Sequence, residues 1–163
     1  MYYVARILLI WLLCLLSVLL HELGHASGYR LTTGKVKWRI LAGSGPKILS
    51  TAKYTFCLIP AGGYFAPEEE PETKKANLAM LAGGPLVSLL LTVLYCVCRF
   101  CFFRSLPQGN ATYEILYPVS SFLLFFNFFQ FFFTVIPVRY RVVCRGLESD
   151  GLQIVHALEH GKA

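Results

Sequence analysis

The sequence has few charged residues for its length. Charged side chains make up 15% of its 163 residues and hydrophobic side chains 56%, whereas about 25% of the residues in soluble domains are charged. This scarcity argues against a soluble globular module. At this length we expect one domain over residues 1–163, without room for a separate soluble one. The composition therefore indicates an integral membrane protein that resides in a lipid bilayer.

Three apolar stretches are each long enough, at about 20 residues, to cross a bilayer. They cover roughly residues 4–26, 76–98 and 115–137. The first could be a signal peptide, because Arg6 precedes an apolar core. However, it is too long and lacks a credible cleavage site. We therefore predict an α-helical membrane protein with about three transmembrane helices, the first of which is retained.

Basic residues are distributed unevenly between the two sides that three spans define. The side that holds the N-terminus and the second loop has Arg6, Arg99 and Arg104. The other side has twelve: Arg30, Lys35, Lys37, Arg39, Lys47, Lys53, Lys74, Lys75, Arg139, Arg141, Arg145 and Lys162. The positive-inside rule then places the N-terminus outside and the first loop and the tail in the cytoplasm. This topology also accounts for the net charge of +6, so we expect no nucleic-acid partner.

The first loop, roughly residues 31–66, has the pattern of a small β-sheet. Charged and bulky side chains alternate over residues 35–41, and apolar side chains alternate again over residues 53–58. This is the period of a strand with one apolar face. The Trp and Tyr residues of the loop are typical of the membrane interface. We therefore predict a small interfacial sheet on the cytoplasmic side.

Glycine and proline mark two further points in this loop. The sequence Gly-Ser-Gly-Pro at residues 43–46 predicts a turn. The sequence Pro-Ala-Gly-Gly-Tyr at residues 60–64 is expected to end the sheet with a flexible segment. Gly62 and Gly63 in this segment would allow a substrate to approach the backbone closely, and we predict that they bind it.

The strongest motif is His-Glu-Leu-Gly-His at residues 21–25, at the end of the first apolar stretch. On a helix this spacing puts two imidazoles on one face, where they can bind zinc, and the glutamate can act on a zinc-bound water. An alternative is a helix end with exposed side chains. Ionisable groups against hydrocarbon are costly and usually functional. We therefore predict one Zn²⁺ bound by His21 and His25, with Glu22 as the catalytic base.

A catalytic zinc needs a third protein ligand, and the residues alone leave the choice open. The candidates are Asp150, Glu148, His156, His160 and the six cysteines Cys14, Cys57, Cys96, Cys98, Cys101 and Cys144. The cysteine spacing fits no convincing zinc ligand set, and packing as small apolar residues is the default. The two C-terminal histidines are more typical of an exposed helix face.

The third apolar stretch carries one polar stripe. Asn127, Gln130 and Thr134 fall at positions i, i+3 and i+7, on one face of a helix. This face should point into the helix bundle. Hydrogen bonding between helices and a role at the site both explain such a stripe. We predict Asn127 and Thr134 as substrate-binding residues.

The motifs, in their order, resemble those of the site-2 protease family of intramembrane zinc metalloproteases. The resemblance covers most of the chain. It rests on the motif at residues 21–25, the Gly-Gly segment at 60–64, Ala-Gly-Gly-Pro at 82–85, and Pro137 followed by an Asp-Gly pair at 150–151. It implies a three-helix catalytic core. It also assigns the third zinc ligand to Asp150, because the aspartate of the Asp-Gly pair completes the zinc site in that family.

Three features depart from the family pattern. Ser88 and Thr134 stand where family members often have asparagine, and the gap between Pro137 and Asp150 is longer than in compact members. Arg139, Arg141 and Arg145 occupy this gap. The departures concern the residues that would hold substrate and the path by which Asp150 reaches the metal.

The function expected from these features is hydrolysis of a peptide bond within or next to a transmembrane segment. A signal-peptide remnant or a peptide precursor would also serve as substrate. The substrate must be extended to expose its carbonyl, and the sheet could hold it by strand addition. The alternative is a catalytically inactive membrane scaffold or subunit that keeps the same fold, against which the intact motif at residues 21–25 argues.

Overall fold

The computed structural model describes residues 2–101, 111–140 and 147–160. Its elements are α1 (Tyr2–Thr33), β1 (Trp38–Ser50), β2 (Tyr54–Pro67), α2 (Lys74–Cys101), α3 (Ala111–Val135) and α4 (Asp150–His160). In the described part, three helices, α1 to α3, are long and apolar enough to cross a membrane. The predicted fold class, a helical membrane protein with a small sheet between its first two spans, is confirmed. Of the residues used above, Arg104, Arg141, Cys144, Arg145 and Lys162 lie outside the described residues.

Helix α1 is longer than the predicted stretch, and a glycine marks its C-terminal end. The helix continues past Ala26 to Thr33, and Gly34 follows with a φ of 72°. The Gly34 N–H donates to the carbonyl of Arg30 at 2.9 Å. A glycine with positive φ after the last helical residue is a common helix end. The 32 residues of α1 make it about 48 Å long, so its C-terminal end continues past the apolar run.

The two strands are antiparallel and bend so that they pair with each other more than once. Leu41 of β1 pairs with Tyr64 on one side and with Thr55 on the other, and Ala42 pairs likewise with Gly63 and Phe56. The two halves of β2 therefore flank the first half of β1. The outer edge of residues 63–67 has no strand partner within the described ranges, so a peptide could pair with it.

The turn predicted at residues 43–46 is a bend inside β1, and residues 60–64 do not end the sheet. Gly43 and Gly45 have φ angles of 87° and 80°, and the pairing register shifts between Ala42 and Lys47. Gly62, with φ of 72°, lies within β2, which continues to Pro67. Glycines supply the same backbone freedom in turns and in bulged strands. Whether such a glycine lies in a turn or in a bulged strand depends on the strand residues that pair around it, and these are distant in the sequence.

The sheet lies along α1 and reaches well back from the end of that helix. Ile40 and Ala42 of β1 form a buried cluster with Leu15, Val18 and Ala26 of α1. Closer to the N-terminus, the Trp11 indole N–H donates to the carbonyl of Leu58 at 2.7 Å. The predicted interfacial sheet therefore extends beside the apolar run of α1 and packs against the helix that carries the motif.

Helices α1 and α2 cross where both have small residues. A Cβ added at Gly24 would overlap the carbonyl of Gly83, and a Cβ added at Gly83 would overlap the carbonyl of Gly24. One turn further along α1, Gly28 meets the carbonyl of Ala79 in the same way. Small residues at such positions let helix backbones approach closely in membranes. This crossing brings the N-terminal part of α2 against the turn of α1 that holds the two histidines.

Candidate active site

The side chains of the motif on α1 are buried inside the protein. His21, Glu22 and His25 are 3%, 4% and 5% exposed. They face the sheet, α2 and the N-terminus of α4, and all three line one cavity. A helix end with solvent-exposed His and Glu, the alternative weighed from the sequence, does not describe these side chains.

Three donor atoms from distant parts of the chain meet next to this face. The Nε2 atoms of His21 and His25 are 3.3 Å apart. The Oδ2 atom of Asp150 is 3.3 Å from the first of these nitrogens and 3.5 Å from the second. Within the described ranges, this is the one group of His, Cys, Asp or Glu side chains that could hold a metal ion. Asp150 thus lies beside the two histidines; its role as the third zinc ligand stays a prediction.

The geometry of the three atoms fits zinc. Tetrahedral zinc with bonds of about 2.0–2.2 Å holds its nitrogen and oxygen ligands roughly 3.3–3.5 Å apart, which matches the observed triangle. The Oδ2 atom of Asp150 is buried and has no hydrogen-bond partner among the described residues. A buried carboxylate oxygen is costly unless a cation or a donor compensates it. A metal ion held by three protein ligands would supply that compensation and leave one coordination position open.

The other ring nitrogen of each histidine is held by α2. The Nδ1 atom of His25 lies 2.8 Å from the carbonyl of Met80. A carbonyl only accepts, so Nδ1 carries the proton and the Nε2 lone pair is available to a metal. The Nδ1 atom of His21 lies 2.8 Å from the hydroxyl of Ser88, which is fully buried. Both imidazoles are therefore oriented with Nε2 toward the shared centre.

Two glycines allow backbone to approach the site closely. A Cβ at Gly84 of α2 would overlap the Nε2 atoms of both histidines, and a Cβ at Gly63 of β2 would overlap the carboxylate of Glu22. Glycine at these positions lets α2 form one wall of the site and lets β2 pass directly beside the glutamate. The outer edge of residues 63–67, which pairs with no other strand in the described ranges, thus lies next to the catalytic residue predicted from the motif.

Asp150 is positioned mainly through its neighbour Ser149. The Ser149 hydroxyl accepts the N–H of Leu152 at 3.2 Å and so caps the N-terminus of α4. It also accepts the N–H of Val138 at 3.0 Å and donates to the carbonyl of Ile136 at 2.7 Å. The side chain is 2% exposed. Ser149 therefore fastens the start of α4 to the segment that follows α3.

The long gap between Pro137 and Asp150 does not prevent the chain from returning to the site. Tyr140 donates its N–H to the carbonyl of Leu147 at 2.9 Å, and Ser149 donates its N–H to the carbonyl of Val138 at 2.9 Å. These antiparallel contacts close the gap, so that Asp150 emerges next to the end of α3. A Cβ at Gly151 would overlap the carbonyl of Val135. Close packing against α3 therefore explains why a glycine follows Asp150.

Electrostatics keep Asp150 ionised. Burial raises the pKa of Asp150, but its contacts with His21 and His25 outweigh this effect and hold the pKa at about 2. The carboxylate is therefore charged at neutral pH, as a zinc ligand must be.

The other ligand candidates are placed differently. Glu148 forms ion pairs with Arg139 and with His156 through its two oxygens, and the Arg139 guanidinium lowers the pKa of Glu148. This carboxylate already has cationic partners outside the metal group. His156 is one of those partners. No described cysteine belongs to the metal group, and the side chain of His160 lies outside the described residues.

A cavity of about 800 Å³ opens beside the metal group. Gly62 and Gly63 line it from β2, and Gln130 and Thr134 line it from α3. Asn127, by contrast, lies between α1 and α3, where its amide N–H donates to the Ser17 hydroxyl and to a carbonyl of its own helix. Substrate binding by these residues stays a prediction.

Three groups that support the candidate metal ligands were not predicted from the sequence. They are the hydroxyl of Ser88, the carbonyl of Met80 and the hydroxyl of Ser149. A serine directly before the Asp-Gly pair and a helical run is a typical N-cap, so the sequence contained a signal for Ser149. Ser88 was noted as a departure from the family pattern. Nothing in the sequence indicates which carbonyl would accept from His25.

The fold and this site define an integral membrane protein with a buried two-histidine, one-carboxylate group suited to a metal. The chain belongs to Peptidase family M50, the site-2 protease family, whose model matches residues 9–157 of the 163. No curated protein and no solved structure matches the chain. Members of this family are membrane metalloproteases that depend on zinc in general, and the matched region contains all four residues of the candidate site.

Proposed function

We propose that the chain is an active intramembrane zinc metalloprotease. It would hydrolyse a peptide bond within or next to a transmembrane segment, a signal-peptide remnant or a peptide precursor. The observation that carries this proposal is the triangle of His21, His25 and Asp150, which stands beside a buried glutamate in a cavity among apolar helices. Family membership supports the same class of reaction.

His21, His25 and Asp150 would hold one zinc ion. When bound there, zinc supplies Lewis acidity, which polarises a carbonyl and acidifies water. Glu22 would accept a proton from the attacking water as the water oxygen bonds to the scissile carbonyl carbon. Glu22 would then give this proton to the leaving nitrogen as the C–N bond breaks. The Met80 carbonyl and the Ser88 hydroxyl would keep both imidazoles in the orientation that ligation requires.

The substrate would bind in an extended form. The backbone of a helix is bonded internally, so only an unwound segment presents a free carbonyl to the site. The outer edge of residues 63–67, which has no strand partner in the described part of the chain, offers backbone groups for strand addition. Gly63 next to Glu22 would let the added strand lie close to the catalytic carboxylate.

We also propose that the active site lies near the cytoplasmic face, with the N-terminus outside. The distribution of basic residues supports this orientation. A tag at the N-terminus should then be digested by protease added outside intact cells, whereas a tag protected under those conditions would contradict the orientation.

The test of activity compares purified wild-type protein with Glu22→Gln in liposomes. Both proteins should hold one zinc, because Glu22 is not in the metal group. The variant should lose cleavage of a panel of membrane peptides by roughly a factor of 100 or more. Glu148→Gln is the matched control, since this carboxylate lines the same cavity but is ion-paired elsewhere. Full activity of Glu22→Gln would contradict the mechanism, and zinc-loaded wild type that cleaves nothing would favour the inactive scaffold.

A further inference from the structure

The polar stripe on α3 has one member whose side chain makes no hydrogen bond to the residues that the structure describes. Thr134 donates its hydroxyl proton to the carbonyl of Gln130 within the helix at 2.9 Å. Asn127 uses its amide N–H groups on Leu123 and Ser17 at the contact with α1. The Gln130 side chain makes no hydrogen bond within the described part of the chain, and its Oε1 atom is buried.

The position of Gln130 distinguishes it from other buried polar groups. The Oδ1 atom of Asn127 also lacks a hydrogen-bond partner among the described residues, but that side chain is fully buried at the contact between two helices. Gln130 lines the cavity that contains Glu22, Asp150 and the backbone of Gly63. Buried polar groups without a partner are rare in proteins and usually have a specific reason. A ligand in this cavity would supply the missing partner.

We propose that the Gln130 carboxamide hydrogen-bonds the main chain of the extended substrate. The inference rests on the proposed function, since it names a substrate-binding residue of the same site. A primary amide has both donor and acceptor groups, and a peptide group offers a carbonyl and an N–H that match them. A helical segment has already used these groups internally. Gln130 therefore favours binding of an unwound substrate. It acts from the α3 side of the cavity, and the β2 edge lines the same cavity.

The surroundings of Gln130 suit a peptide better than a small polar ligand. Phe126, Phe129 and Phe133 line the same cavity from α3, and aromatic side chains form walls for apolar substrate side chains. Among these neighbours on α3, Gln130 offers the one carboxamide. We therefore expect it to contribute to peptide binding without contributing to metal binding.

The test uses two probes that share a zinc-binding group and differ in peptide backbone. Acetohydroxamic acid has no peptide backbone, whereas a blocked tripeptide hydroxamate with apolar side chains has one. Their dissociation constants are measured by calorimetry on the zinc-loaded, full-length protein in detergent. Gln130→Met keeps the shape of the side chain and removes both hydrogen-bonding groups. It should weaken the binding of the tripeptide hydroxamate roughly five- to tenfold. The affinity for acetohydroxamic acid and the zinc content should not change.

Ser120→Ala is the matched control, because Ser120 lies on the same helix, donates to the carbonyl of Tyr117 and is outside the cavity lining. It should bind both probes as the wild type does. If Gln130→Met loses zinc, Gln130→Ala is measured in its place and should show the same selective loss. If Gln130→Met leaves tripeptide binding unchanged, or weakens the binding of both probes equally, the inference is overturned and the proposed function is not. A zinc-loaded wild type that binds neither probe overturns the proposed function, and the inference falls with it.

Discussion

The histidines and the aspartate reach the same point through different kinds of contact. His21 and His25 lie one helical turn apart on α1, and the backbone of α2 at Gly84 packs directly against their rings. Helix geometry and close backbone packing therefore fix both. Asp150 begins a short helix. The Ser149 hydroxyl makes three hydrogen bonds at the start of that helix, and a backbone hydrogen bond to Val138 and the close contact of Gly151 with the Val135 carbonyl add to them.

This difference means that the two halves of the site should respond differently to substitution. Around the histidines, a lost hydrogen bond leaves the packing of α1 and α2 in place. Near Asp150, the Ser149 hydroxyl makes hydrogen bonds to three backbone groups. Its loss therefore removes the N-cap of α4 and the side-chain link to the segment after α3 together. The α4 side is therefore expected to be the more easily disrupted half.

The largest effects should come from removing the proposed zinc ligands. His21→Ala, His25→Ala and Asp150→Ala each leave two ligands, too few for a catalytic zinc site. Each variant should lose both zinc and cleavage, as measured by metal content and turnover of a membrane peptide. Glu148→Ala removes a carboxylate two residues from Asp150 and should retain both properties. If Asp150→Ala keeps zinc and Glu148→Ala loses it, the third ligand is misassigned.

Ser149→Ala should have the next largest effect. The loss of an N-cap costs about 0.5–2 kcal/mol, and the loss of the hydrogen bonds to the half-buried backbone groups of Val138 and Ile136 costs about 0.5–1.5 kcal/mol each. Asp150 then becomes less well ordered, and we expect zinc affinity to fall roughly a hundredfold. Competition with a chelator measures this affinity. Ser27→Ala is the control, because that hydroxyl donates only to a carbonyl of its own helix. Equal affinities of the two variants would remove the distinction between the halves of the site.

Ser88→Ala should have a smaller effect of the same kind. The loss of a hydrogen bond to the second nitrogen of a metal-binding histidine typically weakens metal binding 10- to 100-fold. Because packing with α2 still restrains the His21 ring, we expect roughly a tenfold loss. Thr92 lies one turn further along α2, and its hydroxyl donates to the Ser88 carbonyl. As the control, Thr92→Ala should leave zinc affinity unchanged. A loss larger than that of Ser149→Ala would reverse the proposed ranking.

The part of the site that follows from local helix geometry was predictable from the sequence. Residues 21–25 fix His21, Glu22 and His25 through spacing on a single helix, and the structure places the side chains of both histidines together. The residues alone left Asp150 among several candidates. Its position depends on antiparallel contacts between residues 138–140 and 147–149, which no local periodicity encodes. Only the family resemblance selected it.

The sheet gives a similar lesson about the fold. Alternation predicted that residues 35–41 and 53–58 would be strands. Residues 38–41 and 54–58 lie in β1 and β2, whereas residues 35–37 precede β1. Gly43 and Gly62 were interpreted as parts of breaks between elements, yet they lie within the strands. A glycine indicates an unusual backbone angle, but the partner strand determines whether pairing continues beyond it.

Zinc X-ray absorption of the purified full-length protein, combined with its metal content, would identify the metal ligands directly. The account predicts one zinc per chain, bound by two imidazole nitrogens from His21 and His25 and by a carboxylate oxygen from Asp150. The first coordination shell should contain only nitrogen and oxygen at about 2.0–2.2 Å. Asp150→Ala should not give this spectrum. A sulfur contribution at about 2.3 Å, or protein that binds no zinc when zinc is supplied, would contradict the account.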